Sequence, residues 1–286
     1  MIHLHNGQHI DFLCASGALG FDGRGYLWEK PLIYFNIIRP HELTIITKTL
    51  TLEPRPGNLR WWSPWKCFRF IPNGTVNCVG LSNPGLGWWL RRFPSFPKYK
   101  YVVSIAPASV REALLMTSDL NELPLVGVEF NASCPNTEDW SADKVCAITL
   151  AVAIGSKHPV FVKLGYTQNY IQICEQLDGS VAAFDLINSV PWSAVFPDQA
   201  SPLEPAGGVS GAVIQARAKD ALWKIKTVTT KTPIISGGGI DSEREVITRR
   251  CMGAQAWTFG TIFLRRPWLP NQIASSCRKL WRSNNS

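Results

Sequence analysis

The chain has 286 residues, 45% hydrophobic and only 17% charged, which supplies a large core and argues against disorder. No run of about 18 apolar residues occurs, and Met1 to Gly7 lack a basic region followed by an apolar stretch, so no membrane span or secretory signal is read and a cytoplasmic protein is expected. The net charge of +8 is spread over local clusters (Arg91-Arg92, Arg249-Arg250, Arg265-Arg266, and Arg278 with Lys279 and Arg282) that read as solvated helix faces, so no nucleic-acid partner is expected.

In chain order, residues 2–10 read as a β-hairpin, because Asn6-Gly7 is the strongest short turn signal, and such a hairpin could plug the amino-terminal end of a barrel. The first strand-length apolar run is 44–50. Segment 53–73 fits neither helix nor strand. It carries Pro54, Pro56, Gly57, Pro64 and Pro72 together with Trp61, Trp62 and Trp65, and reads as a long functional excursion over the upper face. Further strand runs fall at 77–82, 101–106, 126–133, 159–165, 182–190, 233–239 and 254–261. Helix candidates alternate with them at 109–121, 141–156, 168–177, 211–229, 241–251 and 270–281. Asp241-Ser242 can cap the helix at 241–251, and Gly253 lies just past its end. Near-continuous hydrophobicity is the mark of strands buried on both faces. The pattern gives one α/β domain over 1–286, a (β/α)8 TIM barrel with an N-terminal β-hairpin and long loops over its C-terminal face.

The run at 126–133 ends in Asn131-Ala132-Ser133-Cys134-Pro135-Asn136, where Pro135 forces a turn and leaves a cysteine between two asparagines at a strand's carboxyl end. Parallel α/β folds keep their chemistry there, although a free cysteine is also a common small core residue. Lys48, Asn77, Asn131, Lys163, Asn188, Gly237 to Gly239 and Gly260-Thr261 stand near other strand ends and converge on one mouth. Ser236-Gly237-Gly238-Gly239-Ile240-Asp241 and Phe259-Gly260-Thr261 supply backbone donors for a phosphate, and Gly207-Gly208-Val209-Ser210-Gly211 adds a third donor-rich loop. Lys48 and Lys163 interrupt apolar runs. Each is either an exposed lysine on an edge strand or a cation facing an electron-rich ring or a carboxylate. The eight cysteines have no C-x-x-C pair and the five histidines no H-E-x-x-H pattern, so no metal site is expected.

These motifs resemble the class 1 dihydroorotate dehydrogenases over nearly the whole chain. The marks are Ala15-Ser16-Gly17, then Thr47-Lys48-Thr49-Leu50-Thr51-Leu52-Glu53-Pro54-Arg55-Pro56-Gly57-Asn58, and Asn77-Cys78-Val79-Gly80-Leu81-Ser82-Asn83-Pro84-Gly85. They continue in the family's order with Asn131 to Asn136, Val162-Lys163-Leu164, Ile187-Asn188-Ser189, Gly207 to Gly211, Gly238-Gly239-Ile240 and Gly260-Thr261. The resemblance implies FMN as cofactor and dihydroorotate as substrate, oxidised to orotate in pyrimidine biosynthesis. It implies Cys134 as the base that takes the C5 proton while a hydride passes from C6 to flavin N5. A thiol titrating near pH 8.5 suits that task. Lys48 matches the lysine between substrate and flavin. Asn77, Gly80, Leu81, Asn131, Asn136, Asn188 and Ser189 match substrate contacts. Ser16, Lys48, Thr49, Asn131, Lys163, Ile187, Gly211, Gly238, Gly239, Gly260 and Thr261 match flavin contacts, with Lys163 beside N1 of the reduced ring. Relatives are commonly homodimers, and pass electrons to fumarate or to a partner subunit with FAD and an iron–sulfur cluster.

The chain departs from the family at Pro107, where glycine is usual, at Gly165-Tyr166-Thr167, in its Trp-rich loop, and after Asn136, where Thr137-Glu138-Asp139-Trp140 leads almost directly into a helix. Two other readings compete. One is an FMN-dependent reductase of another uracil-type ring, including a tRNA dihydrouridine synthase-like enzyme, which could exploit the positive charge. No residues remain, however, for the added RNA-binding domain of those enzymes. The other is a non-catalytic flavin-binding protein.

Overall fold

The computed structural model describes residues 1–59, 63–133, 141–166 and 169–283. Trp61, Trp62, Cys134 and Asn136 lie outside the described residues. Eight strands close into a barrel: β1 (Phe12–Cys14), β2 (Thr44–Ile46), β3 (Lys100–Ile105), β4 (Gly127–Asn131), β5 (Val160–Leu164), β6 (Ala183–Leu186), β7 (Ile234–Ser236) and β8 (Ala256–Phe259). Every neighbouring pair is parallel, and β8 closes onto β1 through Trp257↔Phe12 and Phe259↔Cys14. Each strand is followed by a helix: α1 (Lys30–Tyr34), α2 (Leu86–Arg92), α3 (Val110–Leu120), α4 (Ala142–Gly155), α5 (Tyr170–Leu177), α6 (Gln215–Val228), α7 (Glu243–Cys251) and α8 (Leu269–Ser283). The helices begin where the sequence supplies caps. Ser109, Ser141, Asn169 and Ser242 each accept an orphan amide three residues on. No helix among the described residues is long and apolar enough to cross a membrane.

The hairpin expected at 2–10 is present, with Ile2↔Ile10 and His3↔His9 paired around Gly7. Its Ile2, Leu4 and Ile10 form an apolar cluster with inward residues of the barrel strands, including Leu13, Ile46, Val102, Phe161 and Ile235. This cluster closes the amino-terminal end of the barrel.

Four expectations need correction. The run at 77–82 is not a barrel strand. The eighth barrel position belongs to Phe12–Cys14, too short to stand out beside the hairpin. Segment 53–73 does contain regular structure: Phe68–Ile71 is a strand, turning through Asn73 (φ 56) into Gly74–Asn77. The 207–211 stretch is no loop either, because Gly208–Gly211 pairs antiparallel with Gly74–Asn77 and with Val190–Pro191. The resulting four-stranded antiparallel sheet stands over the carboxyl mouth of the barrel. Arg265 fastens it there, donating from Nη1 to the carbonyls of Ile71 (2.9 Å) and Gly74 (2.7 Å). The basic clusters are also not uniformly solvated. Arg249 is fully buried, and Arg278 makes a bidentate pair with Asp11 at 2.6 and 2.7 Å.

Candidate active site

Between the barrel mouth and the antiparallel sheet lies a cavity of about 1810 Å³. Every candidate residue among those described lines it. From the barrel come Ser16, Lys48, Thr49, Asn131, Lys163, Ile187, Asn188, Ser189, Gly238, Gly239, Gly260 and Thr261. From the covering sheet and its loops come Asn77, Gly80, Leu81 and Gly211. The covering loops are braced by backbone pairs between Arg55 and Asn83 and from Asn58 N to Val79 O at 2.9 Å. Leu81 is held at φ 61 within this brace, a conformation unusual for a leucine.

One wall is a continuous polar chain. Asn131 Nδ2 donates to Thr49 Oγ1 at 2.9 Å, and Thr49 Oγ1 lies 3.0 Å from Ser16 Oγ and 2.9 Å from Ser104 Oγ. Ser133 Oγ donates to Asn131 Oδ1 at 2.6 Å and accepts from Asn188 Nδ2. Asn131 at the end of β4 and Asn188 in the loop after β6 are thereby locked in orientation through Ser133, a residue the sequence reading passed over although it stands inside the Asn131 to Asn136 motif. The Asn77 amide, in contrast, makes no hydrogen bond among the described residues and faces the cavity ready for a ligand.

The two lysines differ. Lys48 Nζ donates to Ser82 O and lies 5.3 Å from the centre of the Phe21 ring. Burial lowers its pKa to about 8. Lys163 is buried beside Asp185, with Nζ 3.3 Å from Oδ2. Burial pulls its pKa down, but the neighbouring Asp185 and Glu129 outweigh that and hold it above the ordinary lysine range.

The glycine loop after β7 is shaped by two side chains the motif reading did not use. Arg249 on α7 donates to the carbonyls of Gly237 and Gly238, and Gln215 Nε2 on α6 donates to the Gly239 carbonyl at 2.7 Å. In a trans peptide the next N–H points the opposite way. The amides of Gly238, Gly239 and Ile240 are therefore turned away from Arg249 and Gln215. Gly239 sits at φ +87 with the Gly211 carbonyl only 2.5 Å from where a Cβ would stand, so no other residue fits. Among the described residues no acceptor takes the N–H groups of Gly238, Gly239, Gly260 or Thr261. Four free amides on adjacent loops, with the Thr261 hydroxyl, suit a phosphate. The buried cation of Lys163 and the Ser16–Thr49–Asn131 wall suit a planar polar ring. The residues present therefore fit FMN, whose phosphate the loops after β7 and β8 would hold.

A family model described as dihydroorotate dehydrogenase matches residues 38–280. The catalytic subunit of dihydroorotate dehydrogenase B (NAD(+)) from Thermoanaerobacter pseudethanolicus is 28% identical over 286 residues, spanning 96% of this chain and 90% of the relative. Dihydroorotate dehydrogenase A (fumarate) from Lacticaseibacillus paracasei is 30% identical over 266 residues, spanning 86% of each. The crystal structure of DHODH from Eimeria tenella in complex with ferulenol matches with a TM-score of 0.73 at 15% identity, over 96% of this chain and 82% of that chain, a likeness of fold. With its barrel, its strand-end polar set and a family match over most of its length, the chain belongs to the dihydroorotate dehydrogenase family, in its class 1 branch.

Proposed function

We propose that this single-domain barrel oxidises dihydroorotate to orotate with FMN. The observation that carries the reading is the convergence of the proposed flavin and substrate residues on one cavity large enough for both ligands. FMN, when bound, supplies a two-electron acceptor for the hydride leaving C6. The side chains do the rest. Cys134, as thiolate, takes the C5 proton onto Sγ. Asn131 and Asn188, fixed through Ser133, and Asn77 from the covering sheet present amide donors and acceptors to the edges of the dihydropyrimidine. Lys48 supplies positive charge beside the substrate. Lys163 would supply it to the flavin, stabilising the negative charge of the reduced ring.

The test is anaerobic mixing of FMN-loaded protein with dihydroorotate. Loss of oxidised-flavin absorbance with formation of orotate is expected, and an unbleached flavin overturns the reading. Reoxidation trials with fumarate, and with NAD(+) plus a flavin and iron–sulfur partner subunit, then assign the electron acceptor, since relatives of both types match this chain. Sedimentation of the same sample tests the homodimer.

A further inference from the structure

Beneath the cavity lies a buried charged group that the proposed reaction leaves unused. Asp185 on β6 stands in register with Lys163 on β5. Glu129 on β4 lies two residues before Asn131, which pairs with Lys163, and so projects from the same face of the strand into the barrel interior. Asp185 Oδ2, like Glu129 Oε2, has no hydrogen-bond donor among the described residues. The Lys163, Asp185 and Glu129 residues are 5%, 1% and 0% exposed. Ser104 Oγ on β3 donates to Glu129 Oε1 at 2.7 Å, whereas Glu129 Oε2 has no donor among the described residues. Thr258 Oγ1 on β8 lies 3.5 Å from Asp185 Oδ1. Among the described residues the other titratable group facing this cluster is Cys14 on β1, whose thiol burial pushes far up and so keeps neutral.

Two carboxylates and one ammonium would leave an unmatched negative charge in the dry barrel interior, which is costly. Adjacent carboxyls in one site do not both ionise. One proton between them removes the excess charge and supplies the donor that Glu129 Oε2 lacks. Burial, followed by the nearby Asp185, raises the Glu129 pKa, against the pull of Lys163.

We propose that Glu129 and Asp185 share one proton beneath Lys163, and that this pair, acting as a positioning device, sets how much of the Lys163 charge reaches bound FMN and hence the site's preference for reduced over oxidised cofactor. The tuning rests on the FMN reading above. With the shared proton the three groups sum to zero charge. Asp185→Asn or Glu129→Gln alone keeps that sum, because the surviving carboxyl ionises against Lys163. The double variant leaves Lys163 uncompensated and favours the electron-rich reduced ring.

Two measurements test this. The first is the midpoint potential of bound FMN, read as the ratio of affinities for reduced and oxidised cofactor. Each single variant shifts the ratio by less than about threefold, and the double shifts it more than about tenfold toward the reduced form, roughly 30 mV upward for a two-electron couple. The second, on apoprotein at slightly acidic pH, is the infrared carbonyl stretch of a neutral carboxyl. It is present in the parent and lost in both singles. Glu29→Gln is recorded alongside, because burial raises the Glu29 carboxyl to about 7 and it contributes its own band. A band that survives in either single variant and is not the one Glu29→Gln removes, or singles that each shift the ratio tenfold, overturns the proposal. Should the double variant fail to fold, the infrared comparison of the singles decides. A chain that takes up no FMN overturns the proposed function and the tuning with it, while the apoprotein band still decides the shared proton.

Discussion

Lys48 has lost much of its hydration, and its ammonium has gained in exchange a carbonyl and the face of an aromatic ring. With its pKa lowered to about 8, it is charged below that pH and neutral above it. An anionic product such as orotate prefers the charged form, so its affinity falls as pH rises through 8, by up to about tenfold per unit. A flavin-perturbation titration in Cys134→Ala, which keeps thiol ionisation out of the result, measures this slope. Lys48→Gln should flatten it, and an unaltered slope in that variant would assign the titration elsewhere. The same shift acts on folding with a definite sign. The unfolded chain binds this proton more tightly than the native one, so the Lys48 contribution makes stability rise with pH between about 8 and the ordinary lysine value. Cys134 is expected to behave differently from Lys48. Cys134→Ala should retain FMN yet slow flavin reduction by dihydroorotate about 10²- to 10⁴-fold, the range lost with a general base, as read by stopped-flow absorbance.

At the scale of elements, the loop after β7 depends on α7 for its shape. Arg249 sits with its guanidinium against two loop carbonyls and Ser236 Oγ, and its Nε lies 3.2 Å from Glu245 Oε2. Arg249→Met leaves these acceptors without a donor in the interior. A loss of about 3–5 kcal/mol in urea unfolding is expected, together with at least tenfold weaker FMN binding by fluorescence quenching. Lys219, which touches the same Glu245 at 3.0 Å but is partly exposed, provides the contrast: Lys219→Met should cost under about 1 kcal/mol and leave FMN binding unchanged. Arg249 also marks where sequence reading reached its limit. Arg249-Arg250 looks like any solvated helix face, because burial of a charge depends on acceptors that sit a dozen residues back in the chain. The covering sheet was hidden for a similar reason. Its strands come from three distant segments, and Phe68–Ile71 is an edge strand whose middle residues, Arg69 and Phe70, face solvent. In contrast, seven of the eight parallel strands were legible as apolar runs, all but Phe12–Cys14, and Lys48, Asn131, Lys163 and Asn188 as the polar residues that interrupt them. Glu129 and Asp185 break the same kind of run and carry the same signal as Lys163, so the acidic partners were readable in principle.

On the scale of the whole molecule, the barrel separates stability from chemistry by its two ends. The carboxyl end is open, polar and lined by the cofactor and substrate residues. The amino end is dry and sealed by the hairpin, and its cluster contains no residue of the cavity. Ile10 is 1% exposed within that seal. Ile10→Ala removes buried methyl and methylene groups at a site where the surrounding strands, fixed by eight parallel ladders, have little freedom to collapse into the gap. The expected loss is about 2–5 kcal/mol in urea unfolding. FMN affinity, read by fluorescence quenching on the folded protein at low denaturant, should stay within about twofold of the parent, because substitutions this far from a site usually act independently. Comparing that variant with Arg249→Met, which loses both stability and cofactor, separates the two ends. If Ile10→Ala also weakened FMN binding tenfold, the barrel would be transmitting strain along its strands, and the division between a structural floor and a chemical mouth would fail.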